Sequence, residues 1–206
     1  MNILLLGATG RVGNKILAKA IADQHHVTAL VRSPEKLTIQ SDYLNIIDGN
    51  VLNEGDIASS MADADVVISA LNTDKNNTLT KSMPLIIDAM KQHEISRIVT
   101  IGTAGILDSR SQPDKYRFQT NESKRRSTTA AEDHLAAYQH LKESDLEWTI
   151  VCPTYLPEGH EKGQYLTEKN LLPLDGKEIK TGDTAAFAYA ELFEKNFVHF
   201  RVGIAY

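Results

Sequence analysis

The sequence predicts a doubly wound α/β fold, a parallel sheet with helices on both faces. Three observations carry this. The strand-like runs are apolar throughout rather than alternating, as in "NILLL" and "DVVISAL". Amphipathic helical segments separate them. A glycine-spaced turn, "GATGRVG", joins the first strand to the first helix. Strands apolar on both faces need cover on both faces, and right-handed crossovers supply it.

The elements follow in order. "NILLLG" is too short for a buried helix and stops on Gly7, so it reads as a strand. "RVGNKILAKAIAD" carries Val12, Ile16, Leu17, Ala20 and Ile21 at helical spacing. "HHVTALVR" and "LNIID" are strands, and "NEGDIASSMAD" is a short helix. "ADVVISAL", "TLTKSMPLIIDAMKQH" and "SRIVTIG" continue as strand, helix and strand. The polar stretch 109–127 reads as a loop with a ragged helix entry. "TTAAEDHLAAYQHLKESD" is a helix, and "LEWTIVCP" the strand after it. Residues 155–182 are rich in Gly and Pro and too few for a core of their own. They are expected to form a lid or substrate-side insertion on a single domain spanning 1–206. "GDTAAFAYAELFEKN" is a helix expected to be capped near Thr181 or Asp183, and "VHFRVGIAY" closes the sheet.

Composition narrows the function. The net charge is −5 and no basic block exceeds "KRR" at 124–126, which acidic residues flank. Those three are read as solvated surface, and nucleic-acid binding has no electrostatic support. Cys152 is the one cysteine, so no disulfide closes within the chain, and its strand-like setting predicts a buried, inert thiol. No apolar run approaches the ~18 residues of a membrane helix. The first residues lack the features of a signal peptide, so a soluble cytoplasmic protein is expected. The histidines are scattered, no metal-ligand spacing emerges, and no Gly-x-Ser-x-Gly elbow appears.

The glycines explain the turn. Gly7 allows a sharp exit from the strand, Gly10 lets backbone approach a phosphate, and Gly13 lets the helix sit close to the strand. The helix N-terminus offers unpaired N–H groups and partial positive charge to a pyrophosphate, with Thr9, Arg11 and Val12 alongside. The spacing is G-x-x-G-x-x-G rather than G-x-G-x-x-G. Its place between an N-terminal strand and an amphipathic helix gives it its meaning. The second strand ends in "VRSPEK". Arg32, with Ser33 and Lys36, suits the 2′-phosphate of NADP(H), where an NAD(H) site would put an acid.

"GATGRVG", "VRSPEKL", "DGNVLN", "ADVVISAL" and "TIVCPTYL" resemble the atypical short-chain dehydrogenase/reductases. The NmrA-like group and the branch containing biliverdin reductase B (flavin reductase) are closest in pattern. The resemblance spans nearly the whole chain, and residues 130–156 are its more specific part. It implies a Rossmann fold. It places Asn50 and Val51 against adenine, and Ala70 and Leu71 along the cofactor path. Thr103 falls beside the nicotinamide, and Pro153, Thr154 and Tyr155 by its carboxamide. His134 matches an active-site histidine of that branch. Read from their own surroundings, Thr103 and His134 serve equally as a turn cap and a helix-start residue bonded to backbone.

One family feature is ill-placed. Tyr-x-x-x-Lys occurs at Tyr138–Lys142 and Tyr165–Lys169, the first deep in a helix and the second in the insertion. Tyr116 is better spaced, but Thr120 stands where the lysine belongs. Hydride transfer does not require that pair, because the chemistry is the cofactor's. Two functions follow as expectations. One is an NADP(H)-dependent reductase of a small acceptor such as a flavin, quinone or carbonyl compound, with Thr103 and His134 at the reacting end. The other is a silent dinucleotide-binding sensor of the NmrA type that acts on a protein partner.

Overall fold

The computed structural model describes residues 1–74, 76–123 and 127–206. The "KRR" cluster therefore lies outside the described residues. The strands are β1 (Asn2–Leu6), β2 (His26–Val31), β3 (Leu44–Asp48), β4 (Val66–Ser69), β5 (Arg97–Ile101), β6 (Glu147–Pro153), β7 (Leu166–Lys169) and β8 (Phe200–Ala205). The helices are α1 (Arg11–Ala22), α2 (Glu54–Ser60), α3 (Thr78–Gln92), α4 (Thr129–Lys142) and α5 (Thr181–Glu194). One eight-stranded sheet runs β3-β2-β1-β4-β5-β6-β8-β7. All pairs are parallel except β7 with β8, which is antiparallel at the edge.

The apolar strands divide their side chains between two cores. Ile3 and Leu5 of β1 pack with Ile16 and Leu17 of α1 and Ala185 and Leu192 of α5. Leu4 and Leu6, pointing the other way, pack with Ile57 of α2, Met83 and Ile86 of α3 and Leu141 of α4. A strand with both faces buried cannot alternate apolar with polar, which is why these runs read as continuous. The sheet order reverses at β1, so crossovers on either side of it go to opposite faces and leave a crevice at the strands' carboxyl ends.

Local chemistry sets several element ends. Asn53 caps α2, its side chain accepting from the Asp56 amide at 3.0 Å. The expected side-chain cap of α5 is corrected. Thr181 and Asp183 lie inside the helix, and Lys180 precedes it with no side-chain cap bond. Their polar atoms face the irregular segment instead. The Thr181 hydroxyl bonds Gly159, and the Asp183 carboxylate accepts the amides of Lys162 and Gly163, each at 2.8 Å, and the Tyr206 hydroxyl. Burial and Asp183 push the Tyr206 phenol up to about 12. Further contacts pin the same segment to α1: Arg11 donates to the Leu156 carbonyl at 2.9 Å, and Lys15 pairs with Glu158 and Lys19 with Glu161.

The stretch between β5 and α4 folds back on itself through an isolated Asp108–Tyr116 bridge and two 3₁₀ turns. Buried Arg201 of β8 holds this stretch from below. Its guanidinium donates to the Ile106 carbonyl and to Asp108 at 2.8 Å, and lies 4.7 Å from the centre of the Tyr138 ring. No helix among the described residues is long and apolar enough to cross a membrane.

Candidate functional site

Two open cavities lie along the carboxyl ends of the strands. The first, about 230 Å³, is lined from four strand ends: Gly7, Thr9 and Gly10 after β1, Leu30 and Val31 of β2 with Arg32 just after it, Gly49 and Val51 after β3, and residues 70–74 after β4. Thr78 of α3 completes it. The second, about 310 Å³, lies past β5 and β6, lined by Ala104, Gly105, Thr154 and Tyr155. Arg117, Glu122, Ser123, Leu172, Gly176 and Lys177 close its far side.

The first cavity is built around the glycine turn. Gly7 has φ +81°, and a Cβ there would lie 2.5 Å from the Ala70 carbonyl oxygen. A Cβ on Gly13 would lie 2.2 Å from the Gly7 carbonyl oxygen. Both positions exclude side chains, so the β1–α1 turn is drawn tight and α1 starts directly beneath the cavity. Gly10 precedes α1 with extended backbone and no side-chain cap bond, and the first turn of α1 holds no acid. The amides and partial positive charge of that turn remain for an anion. This cradle fits a dinucleotide pyrophosphate, with Arg32 the cation beside the pocket's outer end.

Other expected residues are distributed more unevenly. Thr9, Val51, Ala70 and Leu71 line the first cavity. Val12 is buried in the core, so only its backbone faces the turn. Arg11 reaches to Leu156. Ser33 precedes the short 34–36 turn and Lys36 ends it, and neither lines the cavity. The Asn50 side-chain oxygen accepts the Leu52 amide at 3.0 Å, while the Asn50 backbone N–H donates to Asp56 at 2.8 Å. Pro153 is buried in β6.

Thr103 caps the 104–106 turn, its hydroxyl accepting from the Gly105 amide at 3.4 Å. It lines a small hollow of about 40 Å³ that shares Gly105 and Ser123 with the second cavity. His134 is the sixth residue of α4 rather than its opening residue, and it lines a small hollow with Met83, Thr100 and Tyr138. None of the three tyrosines weighed as a catalytic phenol lines either open cavity. Tyr138 is buried against Trp148, Tyr165 packs edge-on to Phe187, and Tyr116 stacks on Phe118. Cys152 is fully buried, and that burial pushes its thiol up to about 12, so it carries no thiolate at neutral pH. Among the described residues no cluster of His, Cys, Asp and Glu is arranged to hold a metal.

Sequence reasoning missed several lining residues. Asn72, Thr73 and Asp74 form much of the first cavity's wall, and a polar "NTD" directly after an apolar strand was the available signal. Arg117 reaches the second cavity from a stretch read as a loop with a ragged helix entry, and Lys177 from the segment expected to be a lid or substrate-side insertion, though neither residue was singled out. Glu122 anchors Arg117 there, and its carboxylate is itself strongly bound. Burial opposes its ionisation, but donors from Ser109 and Ser111, with Arg117 nearby, hold it down at about 2.

The fold recurs in known proteins. A Bacteroides thetaiotaomicron protein described as a candidate epimerase superposes with a TM-score of 0.86 at 27% identity, over 100% of this chain and 96% of that one. A wide-type short-chain dehydrogenase/reductase from Veillonella parvula, solved in complex with NADP, gives 0.82 at 19%, over 100% and 94%. ChuY, an anaerobilin reductase from Escherichia coli O157:H7, gives 0.79 at 20%, over 98% and 97%. The NAD(P)H-binding family profile matches residues 7–195, from the first glycine of the turn to the end of the last helix. The chain belongs to that NAD(P)H-binding family.

Proposed function

We propose that the protein is an NADP(H)-dependent reductase that passes hydride to a small planar acceptor. The single observation that carries this is the pair of cavities on one edge of the sheet. The adenosine and pyrophosphate half of the cofactor occupies the first, against Gly7–Gly13 and Arg32. The nicotinamide half runs past Ala70 and Leu71 toward Thr103, Pro153 and Thr154. The acceptor then sits in the second cavity, against the ring of Tyr155. Arg117 and Lys177 favour an acceptor carrying an anionic group, as a flavin mononucleotide does, and Tyr155, 64% exposed, offers a face for stacking. A reductase among the structural neighbours is in keeping with a reductase on this fold.

The bound cofactor supplies the hydride. The chain holds the two partners in register, and in this reading the Thr103 hydroxyl orients the acceptor or the carboxamide. A flavin or quinone takes its proton from water, so no buried phenol is required. His134, set back in α4, lines neither open cavity.

The test follows NADPH oxidation with a panel of flavins, quinones and aldehydes. Turnover on an anionic planar acceptor that falls by about tenfold in Lys177→Glu supports the reading, by the ~1–2 kcal/mol a charge-assisted contact contributes. Tight NADPH binding without turnover on any acceptor replaces it with the sensor reading and its protein partner. The absence of the three candidate phenols from both cavity walls is the observation that favours that second reading.

A further inference from the structure

Asp133 is 3% exposed, and its carboxylate points out of α4 into the start of α3. Oδ1 accepts from the Thr80 amide at 2.9 Å and the Thr80 hydroxyl at 2.6 Å. Oδ2 accepts from the Thr73 hydroxyl at 2.6 Å and, more weakly, the Leu79 amide at 3.4 Å. Burial works against the charge, but these donors outweigh it and hold the carboxyl below its ordinary range.

This arrangement solves a problem in α3. The residue before that helix, Asn77, is left-handed at φ 56° and gives no side-chain cap. The first-turn amides are capped from elsewhere, by Asp74 within the loop and by Asp133 across from α4. The same carboxylate reaches back to Thr73, in the wall of the first cavity between Asn72 and Asp74. A short loop between a strand end and a helix start has few ways to be held, and a charge-assisted bond to a buried acceptor is a strong one.

We propose that Asp133 is a positioning residue for the dinucleotide. Through the Thr73 hydroxyl it fixes loop 70–74 in the shape that lines the cofactor cavity. It also ties that wall to α4, whose first-turn Ala131 borders the hollow under Thr103. The proposal rests on the reading of the first cavity as the dinucleotide site. Asp133 itself touches no cofactor.

Two measurements test it on the full chain. The first is amide hydrogen exchange of residues 70–74 and 76–80 with no nucleotide present. The second is calorimetric affinity for NADPH. Thr73→Val, which deletes the hydroxyl, is expected to speed exchange in that loop and weaken NADPH by about tenfold, while Thr73→Ser restores both. Asp133→Asn keeps an oxygen for Thr80 but puts NH₂ toward Thr73 and Leu79, and is expected to weaken NADPH as well. The double variant Thr73→Val with Asp133→Asn is expected to bind no worse than the weaker single, because both act through one bond. Unchanged loop exchange in Thr73→Val overturns the proposal. So do additive losses in the double variant, which would mean that the Thr73 hydroxyl contacts the cofactor directly. Wild-type protein that binds no NADPH while its loop exchange still responds to Thr73→Val refutes the dinucleotide site and leaves the clamp standing.

Discussion

Gly7 holds a left-handed φ with the Ala70 carbonyl where its Cβ would be, so Gly7→Ala combines backbone strain with a clash against main chain. Strain of that kind costs about 1–3 kcal/mol before the clash is counted. Gly7→Ala is therefore expected to lower the urea midpoint and to lose nucleotide binding together. Arg32 makes a different prediction. It is an exposed cation at the edge of the first cavity, so Arg32→Glu is expected to leave stability within about 0.5 kcal/mol. The same change should weaken NADPH and spare NADH, which parallel titrations would measure. Glu122 supplies a pH signature. Its folded pKa, about 2, lies below the ordinary 4.5, so its contribution to stability is complete above about pH 4.5 and disappears as pH falls through about 2. Urea denaturation across that window should show wild type losing its advantage over Glu122→Gln toward the acid end. Parallel curves would contradict the depressed pKa.

At the scale of elements, the first βα unit was legible almost completely. β1, α1 and the glycines between them are a local pattern, since apolar continuity, helical spacing and close-approach glycines all lie within about twenty residues. Ile16 and Leu17 were read as core from that spacing, and both are fully buried. Leu17→Ala should cost about 2–5 kcal/mol, read from chemical denaturation. A cost below 1 kcal/mol would mean that α1 packs more loosely than its burial implies. The start of α5 was misread because Thr181 and Asp183 carry the chemistry of a cap and spend it elsewhere. Their partners, Gly159 and residues 162–163, lie about twenty residues back, across the irregular segment. His134 was read from its surroundings as a helix-start residue, yet α4 begins five residues earlier, at Thr129. In both cases a residue type suited to a helix end was read without knowing which backbone groups tertiary packing would bring to it.

For the whole molecule, the alternation of apolar strands with amphipathic helices foretold the doubly wound sheet, but pairing across the chain determined the site. Thr9 and Val51 meet in one cavity because β2 and β3 lie beside β1, and the glycine motif alone could point only to its own turn. Arg117 and Lys177 come together in the second cavity across 60 residues of sequence, through the fold of the β5–α4 stretch and the 155–182 segment. Asp133 joins the cofactor wall to α4 across a similar separation. Contacts of this length leave no local periodicity to read.

The most direct measurement is calorimetric titration of wild type and Arg32→Glu with NADPH and NADH. Wild type should bind NADPH more tightly than NADH, and the variant should reverse that order. Folded wild-type protein that releases no heat with either nucleotide at millimolar concentration would contradict the dinucleotide site itself.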